Sequence, residues 1–153
     1  MSVQGYQEAS ENLIRYQISN DTVIQIPQAS VQFLLKLLAW NENPHRKHDA
    51  QDLNFILNNY LEVGNFERLY NDHEELITEQ FDILTTGAEL LGRDLKQICS
   101  PTTTNNITTI LTTAIKEESN YNLITSMLES FEDLDTKFTQ KFAQIESILS
   151  GLK

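Results

Sequence analysis

The side chains that could do chemistry crowd into one stretch, Val31 to Leu53, VQFLLKLLAWNENPHRKHDAQDL. Lys36 interrupts an apolar run, and His45-Arg46-Lys47-His48 leads directly into Asp49 and Asp52. An Arg-Lys pair in a loop can bind phosphate oxygens, the arginine bidentately and the lysine as a point charge. A lysine inside an apolar helix either snorkels, its stem packed and its ammonium in water, or aims at an anion such as a phosphate across a cleft. Asp49 and Asp52 are three residues apart and share a helical face. Two such carboxylates could hold Mg²⁺ together with substrate phosphates. Asp49 also stands where a carboxylate caps a helix start and pairs with its basic neighbours. Lys36, Arg46 and Lys47 are therefore the candidate phosphate-binding residues, and Asp49 and Asp52 the accompanying charged motif. No catalytic residue and no metal-ligand set presents itself.

Other titratable residues offer less. His45, His48 and His73 lack the His-x-x-x-His or Cys-rich spacing of a zinc site. Cys99 has no basic or histidine partner nearby in sequence, which disfavours a nucleophilic role. Arg93-Asp94, inside Leu90 to Leu95, suggests ion pairing across to another helix. No Gly-rich phosphate loop, GxSxG elbow or paired-carboxylate acid/base geometry is visible.

The elements that must position these residues follow from periodicity. Gln4 to Asn12 suits a short helix, with Tyr6, Ala9 and Leu13 along one side. Leu13–Ile18 and Thr22–Ile26 alternate with a strand's period and are rich in β-branched residues, with turn-forming Ser19-Asn20-Asp21 between them. That pattern predicts a β-hairpin, and two strands alone are marginal in water. Pro27 ends it, and Ser30, or else Gln28, opens a helix over Val31–Trp40 that is apolar nearly all round and hence buried. Asn41 to Pro44 breaks that helix. Asp49–Leu61 restarts the helical period, with Ala50, Leu53, Ile56, Leu57, Tyr60 and Leu61 inward and Gly64 closing it. A short helix over Asn65–Tyr70 precedes the longest one, Asp72–Ile98, which is continuous or is joined near Thr85-Thr86-Gly87. Ser100-Pro101-Thr102 marks a boundary. Asn105–Glu117, Asn120–Ser130 and Leu134–Leu149 follow as amphipathic helices, the first weakened by its threonines.

The fold class is thus mainly α (α+β): a short N-terminal helix and β-hairpin, then a bundle of six to seven helices. The expected organisation is a single domain of 153 residues, with a hairpin element to residue 27, a helical core over 28–99 and C-terminal helices over 100–153. A net charge of −11 disfavours general nucleic-acid binding, which needs clustered lysine and arginine. A single cysteine excludes an internal disulfide framework and suits a reducing compartment. The N-terminus lacks the basic and apolar regions of a signal peptide, and no apolar run approaches the ~20 residues that span a bilayer. The expectation is a soluble, cytoplasmic protein without membrane contact.

Several of these residues also run in a familiar order. Gly5-Tyr6-Gln7-Glu8-Ala9, a hairpin, Ile26-Pro27, Leu34-Leu35-Lys36-Leu37-Leu38-Ala39-Trp40 and Arg46-Lys47-His48-Asp49-Ala50-Gln51-Asp52-Leu53 succeed one another, followed by Leu57–Tyr60 and Leu90-Leu91-Gly92-Arg93-Asp94. Over roughly Gln4 to Ile98 the chain resembles the C-terminal part of bacterial nucleotidyltransferases related to the AbiEii-type toxins of abortive-infection systems, in the polymerase-β-like superfamily. In that family a Gly-Ser motif, an Asp-x-Asp pair and a further carboxylate on a mixed sheet hold Mg²⁺ and the nucleoside triphosphate, upstream of the region matched here. This sequence has no Gly-Ser followed by Asp-x-Asp, and its Asp133-Leu134-Asp135 falls on an expected helix. The resemblance implies that Lys36 touches nucleotide phosphates and that Arg46, Lys47, Asp49 and Asp52 border the cleft. It also implies that Mg²⁺ and a nucleoside triphosphate bind only if a catalytic partner completes the site.

Two functions from different classes follow. One is a C-terminal domain of a nucleotidyltransferase-like protein, inactive alone and acting with a separately encoded catalytic partner, with a second copy, or as a remnant. The other is an acidic helical interaction module of the antitoxin or inhibitor kind, its charged corner a structural ion-pair network. A complete small enzyme of unknown chemistry is a third, weakened by the lack of a nucleophile or acid/base pair.

Overall fold

The alternating segments do form strands. In the computed structural model, which describes residues 5–128 and 133–153, Leu13–Ser19 (β1) pairs antiparallel with Thr22–Pro27 (β2) around a turn at Asn20-Asp21. The register sets Ile14 opposite Ile26, Arg15 opposite Gln25 and Tyr16 opposite Ile24, with an irregularity between Gln17 and Ser19. Before it lies a short helix, α1 (Tyr6–Glu11), entered through Gly5 at a φ of 90°, where a side chain would be strained. Ala9 is buried there, whereas Tyr6 and Leu13 are exposed, so the apolar side expected along this helix covers less than its sequence suggested.

Seven further α-helices follow among the described residues: α2 (Ala29–Glu42), α3 (Lys47–Asn59), α4 (Phe66–Asp72), α5 (Ile83–Ile98), α6 (Pro101–Ala114), α7 (Asn122–Met127) and α8 (Leu134–Gly151). The chain is mainly α with one small hairpin. Gln28, not Ser30, flanks α2, and Ser30 lies buried in its first turn. Val31, Phe33, Leu34, Leu37, Leu38 and Trp40 are all buried, as a helix apolar nearly all round requires. Gly64, at a φ of 93°, ends the turns after α3.

Over Asp72–Ile98, expected as one helix or as two joined near Thr85-Thr86-Gly87, only Ile83–Ile98 is α-helical after the last residue of α4, and the expected joint lies inside it. The chain leaves α4, makes a 3₁₀ turn at Glu74–Leu76, and restarts only where Asp82 accepts hydrogen bonds from the Leu84 and Thr85 amides, at 3.1 and 2.8 Å. Phe81, expected inward, is exposed. The longest helix is α8. The threonine-rich stretch begins its helix earlier than expected, at Pro101: proline suits a first helical position, and the Ser100 hydroxyl accepts from the Thr103 amide at 3.2 Å. The helix expected over Asn120–Ser130 is the short α7, and its final residues lie outside those described.

One contiguous core joins these helices, with Phe33 and Leu37 of α2, Leu53 and Leu57 of α3, Leu91 and Leu95 of α5, and Ile145 and Ile148 of α8 at its centre. The most extensive helix pairing is α5 with α8. It depends on two glycines: a Cβ on Gly92 would collide with the Ile148 carbonyl oxygen, and one on Gly151 with the Glu89 carbonyl oxygen. The hairpin, in contrast, packs mostly on itself. No helix among the described residues is long and apolar enough to cross a membrane.

Candidate functional site

The charged residues of the 31–53 stretch do come together. Lys36 projects from α2 toward the first turns of α3, and its Nζ lies 3.2 Å from Asp49 Oδ1 and 2.6 Å from Asp52 Oδ2. Arg46 Nε lies 3.0 Å from Asp49 Oδ2. That approach is charge pairing without hydrogen-bond alignment, since the buried Oδ2 accepts no hydrogen bond. Asp49 is 2% exposed, while the Lys36 and Asp52 side chains are 38% and 50% exposed. Lys36 is held firmly protonated, chiefly by its hydrogen bond to Asp52, which with Asp49 outweighs burial.

Asp49 is not the cap of α3. The flanking residue is Arg46, no side chain caps the helix there, and Asp49 sits in the first turn with its carboxylate spent on the two cations. Two cations meet two carboxylates, so Lys36 and Arg46 have no charge to spare for a phosphate unless an aspartate lets go. Lys47 is exposed beside them, with no such partner among the described residues; His45 and His48 are exposed too, with His48 Nδ1 3.2 Å from Gln51 Oε1.

A second constellation, which sequence reasoning did not assemble, lies near the start of α2. Arg68 of α4 clamps Asp94 of α5 with two hydrogen bonds, Nη2 to Oδ1 at 2.6 Å and Nη1 to Oδ2 at 3.0 Å. The buried Tyr60 hydroxyl donates to the same Oδ2, and Arg68 Nη1 also donates to Asn65 Oδ1 at 2.7 Å. Asn65 in turn donates to the Tyr60 carbonyl at 2.6 Å. These groups line a cleft of about 770 Å³ that reaches Ile14 and Gln28 at the foot of the hairpin. Burial, reinforced by the Asp94 charge, pushes the Tyr60 phenol far above its usual range, so it stays protonated. The hydrogen bond to Asp94 likewise fixes the charge on Arg68. The phenol stays protonated and the Asp94 carboxylate is held by three donors, so neither acts as a free base. The cluster works as a clamp joining α4, α5 and the turn after α3. One signal was available: an aspartate within the otherwise core-forming stripe of α5.

Arg93, the neighbour of Asp94, turns elsewhere. It pairs with Glu75 and lies 3.5 Å from Glu89, and it donates to His73 Nδ1 at 3.2 Å. Each member of the Arg93-Asp94 doublet thus reaches a separate partner, as an ion-pairing role across elements requires. Near α1, burial pushes the Glu8 carboxyl up, but hydrogen bonds from Thr103 and from backbone amides outweigh it and the net shift is downward. Burial and the nearby Glu8 push the Cys99 thiol up to about 12, which leaves it unreactive at neutral pH.

The resemblance implied Mg²⁺ and a nucleotide. The carboxylates at hand do not fit the metal: Asp49 and Asp52 are already paired with cations, and no three His, Cys, Asp or Glu side chains converge among the described residues. No protein-family model, curated protein or solved structure matches the chain significantly.

Proposed function

We propose that this chain is an acidic interaction module that docks through its hairpin, with the corner around Lys36 as a structural ion-pair network. The observation that carries this reading is the exposed apolar side of the hairpin. Alternation puts Ile14, Tyr16, Ile24 and Ile26 on one side of the ribbon, and all four remain exposed. A strand pair with a clean apolar side normally lays that side on a core, and here, among the described residues, these four side chains belong to none. The net charge of −11 gives the rest of the surface an attraction for a basic partner.

A second reading, the C-terminal domain of a nucleotidyltransferase-like protein, is favoured by the same hairpin, which would then extend the sheet of a catalytic half. In that arrangement Lys36 and Arg46 must leave their aspartates to meet a nucleotide. Thermal unfolding with ATP, GTP, CTP and UTP, each with Mg²⁺, separates the two. A ligand that binds the folded state raises its melting temperature with the logarithm of its excess over Kd. The interaction module predicts no shift for any of the four. A shift lost in Lys36→Ala would replace it with the nucleotide reading.

A further inference from the structure

We infer that the occupant of the hairpin's apolar face is a second copy of the same chain, the two ribbons packing face to face about a twofold axis. The inference rests on the docking role proposed for the hairpin and names its partner.

Three observations lead to it. The first is charge. Leu13–Pro27 contains one arginine, Arg15, and one aspartate, Asp21, so this segment is neutral and the whole net charge of −11 resides in the remainder. Two equally acidic molecules repel each other across most of their surfaces and least where these neutral segments meet. A basic partner would be drawn to the helices and gains nothing electrostatically from the hairpin.

The second is self-complementarity. A twofold interface presents the same patch from both sides, so each residue type must suit its own kind. Ile14 lies beside Ile26 and Tyr16 beside Ile24, and Arg15 lies beside Gln25 on the other side of the ribbon. Isoleucine meeting isoleucine, with a tyrosine near the centre of each ribbon, satisfies that condition without opposing like charges. Tyrosine suits such a position because its ring buries area while its hydroxyl stays wet.

The third is the stability of the ribbon. A two-stranded sheet is marginal in water and needs a third strand or a covering layer. Among the described residues of one chain it receives neither, and at its base it is tied by the Gln28 amide donating to the Asn12 carbonyl at 3.2 Å. Two ribbons stacked about 10 Å apart, the usual spacing of facing sheets, form a four-stranded layer pair in which each supplies what the other lacks.

The test combines sedimentation equilibrium of the full chain, over roughly 1–200 μM, with amide hydrogen exchange of residues 13–27 at the two ends of that range. The result expected is a dimer whose hairpin amides gain at least tenfold protection at the higher concentration. The Tyr16→Asp/Ile24→Asp variant is then monomeric and loses the gain, with its helical circular dichroism unchanged. A dimer that persists in this variant places the interface elsewhere and overturns the inference. A chain that is monomeric throughout, with rapidly exchanging hairpin amides, overturns the second copy while leaving a docking role for the hairpin. A monomer whose hairpin is protected at every concentration needs no partner there, and both readings fall. If the double variant loses its helical signal, the milder Tyr16→Thr/Ile24→Thr, on the same side of the ribbon, serves instead, with a weakened dimer expected and an unchanged one overturning the inference.

Discussion

Two ionic clusters, each with a partly exposed cation on a buried aspartate, differ in the groups that complete them. At the corner, Lys36, Arg46, Asp49 and Asp52 meet at the surface, and only Asp49 is buried. In the cleft, Asp94 lies inside with a bidentate arginine and a tyrosine hydroxyl upon it. Exposed pairs are screened and contribute a few tenths to about 1 kcal/mol, whereas a buried carboxylate that loses its partners retains its full desolvation cost. Lys141 of α8 extends the contrast. It is 4% exposed and, among the described residues, finds the neutral acceptors Asn58 Oδ1 at 2.5 Å and Gln144 Oε1 at 2.8 Å. Burial pulls its pKa down to about 8. A charge inside this protein is either clamped or close to giving up its proton.

The largest effect is expected from the clamp. Asp94→Ala strands the Tyr60 hydroxyl and the Arg68 guanidinium, and should cost about 3 kcal/mol, toward the low end for a broken buried pair because Arg68 is partly exposed. Urea unfolding with an unchanged m-value would measure it, and a loss under 1 kcal/mol would erase the distinction between the clusters.

Next comes the pH dependence of Lys141. Its ordinary pKa of 10.5 falls to about 8 on folding, so between those values the unfolded chain binds more protons than the folded one. Stability therefore rises as pH increases from 8 toward 10.5, by up to about 3 kcal/mol from this group. The slope should be missing from Lys141→Met, and an equal slope in both proteins would place the titration elsewhere.

Smaller effects belong to the corner. Asp49→Ala should cost about 1 kcal/mol, because Lys36 keeps Asp52 and Arg46 returns to water. Asp52→Asn, at a half-exposed position, should cost no more than about 0.5 kcal/mol, and that increment should fade in ~0.5 M salt while the Asp94 increment persists.

What the sequence made legible follows the same division. The corner's carboxylates are three residues apart and its arginine three before the first of them, so helical spacing alone brings them together. The strands announced themselves through alternation and turn residues, within a residue at each far end. Tyr60 and Arg68 meet Asp94 across 34 and 26 residues of chain, and no local period encodes such a meeting. The break between α4 and α5 was hidden because Leu76, Ile77, Phe81 and Leu84 keep a helix-like spacing straight through it. The Asp82 cap was present in the sequence, but the apolar stripe outweighed it. In α6 the error ran the other way: weak threonine propensity yields to burial of Thr103, Ile107, Ile110 and Leu111.

The glycine contact between α5 and α8 has a consequence for how the protein is made. Gly151 rests against Gly92, so the side of α5 that meets α8 stays open until a segment translated long after it arrives. At a synthesis rate of roughly 5–20 residues per second, α5 waits several seconds on the ribosome with its Gly92 side uncovered. Chaperone demand in that interval should depend on translation speed between the codons for residues 98 and 151. Synonymous slowing of that interval is a way to change the yield of this protein without altering one of its side chains.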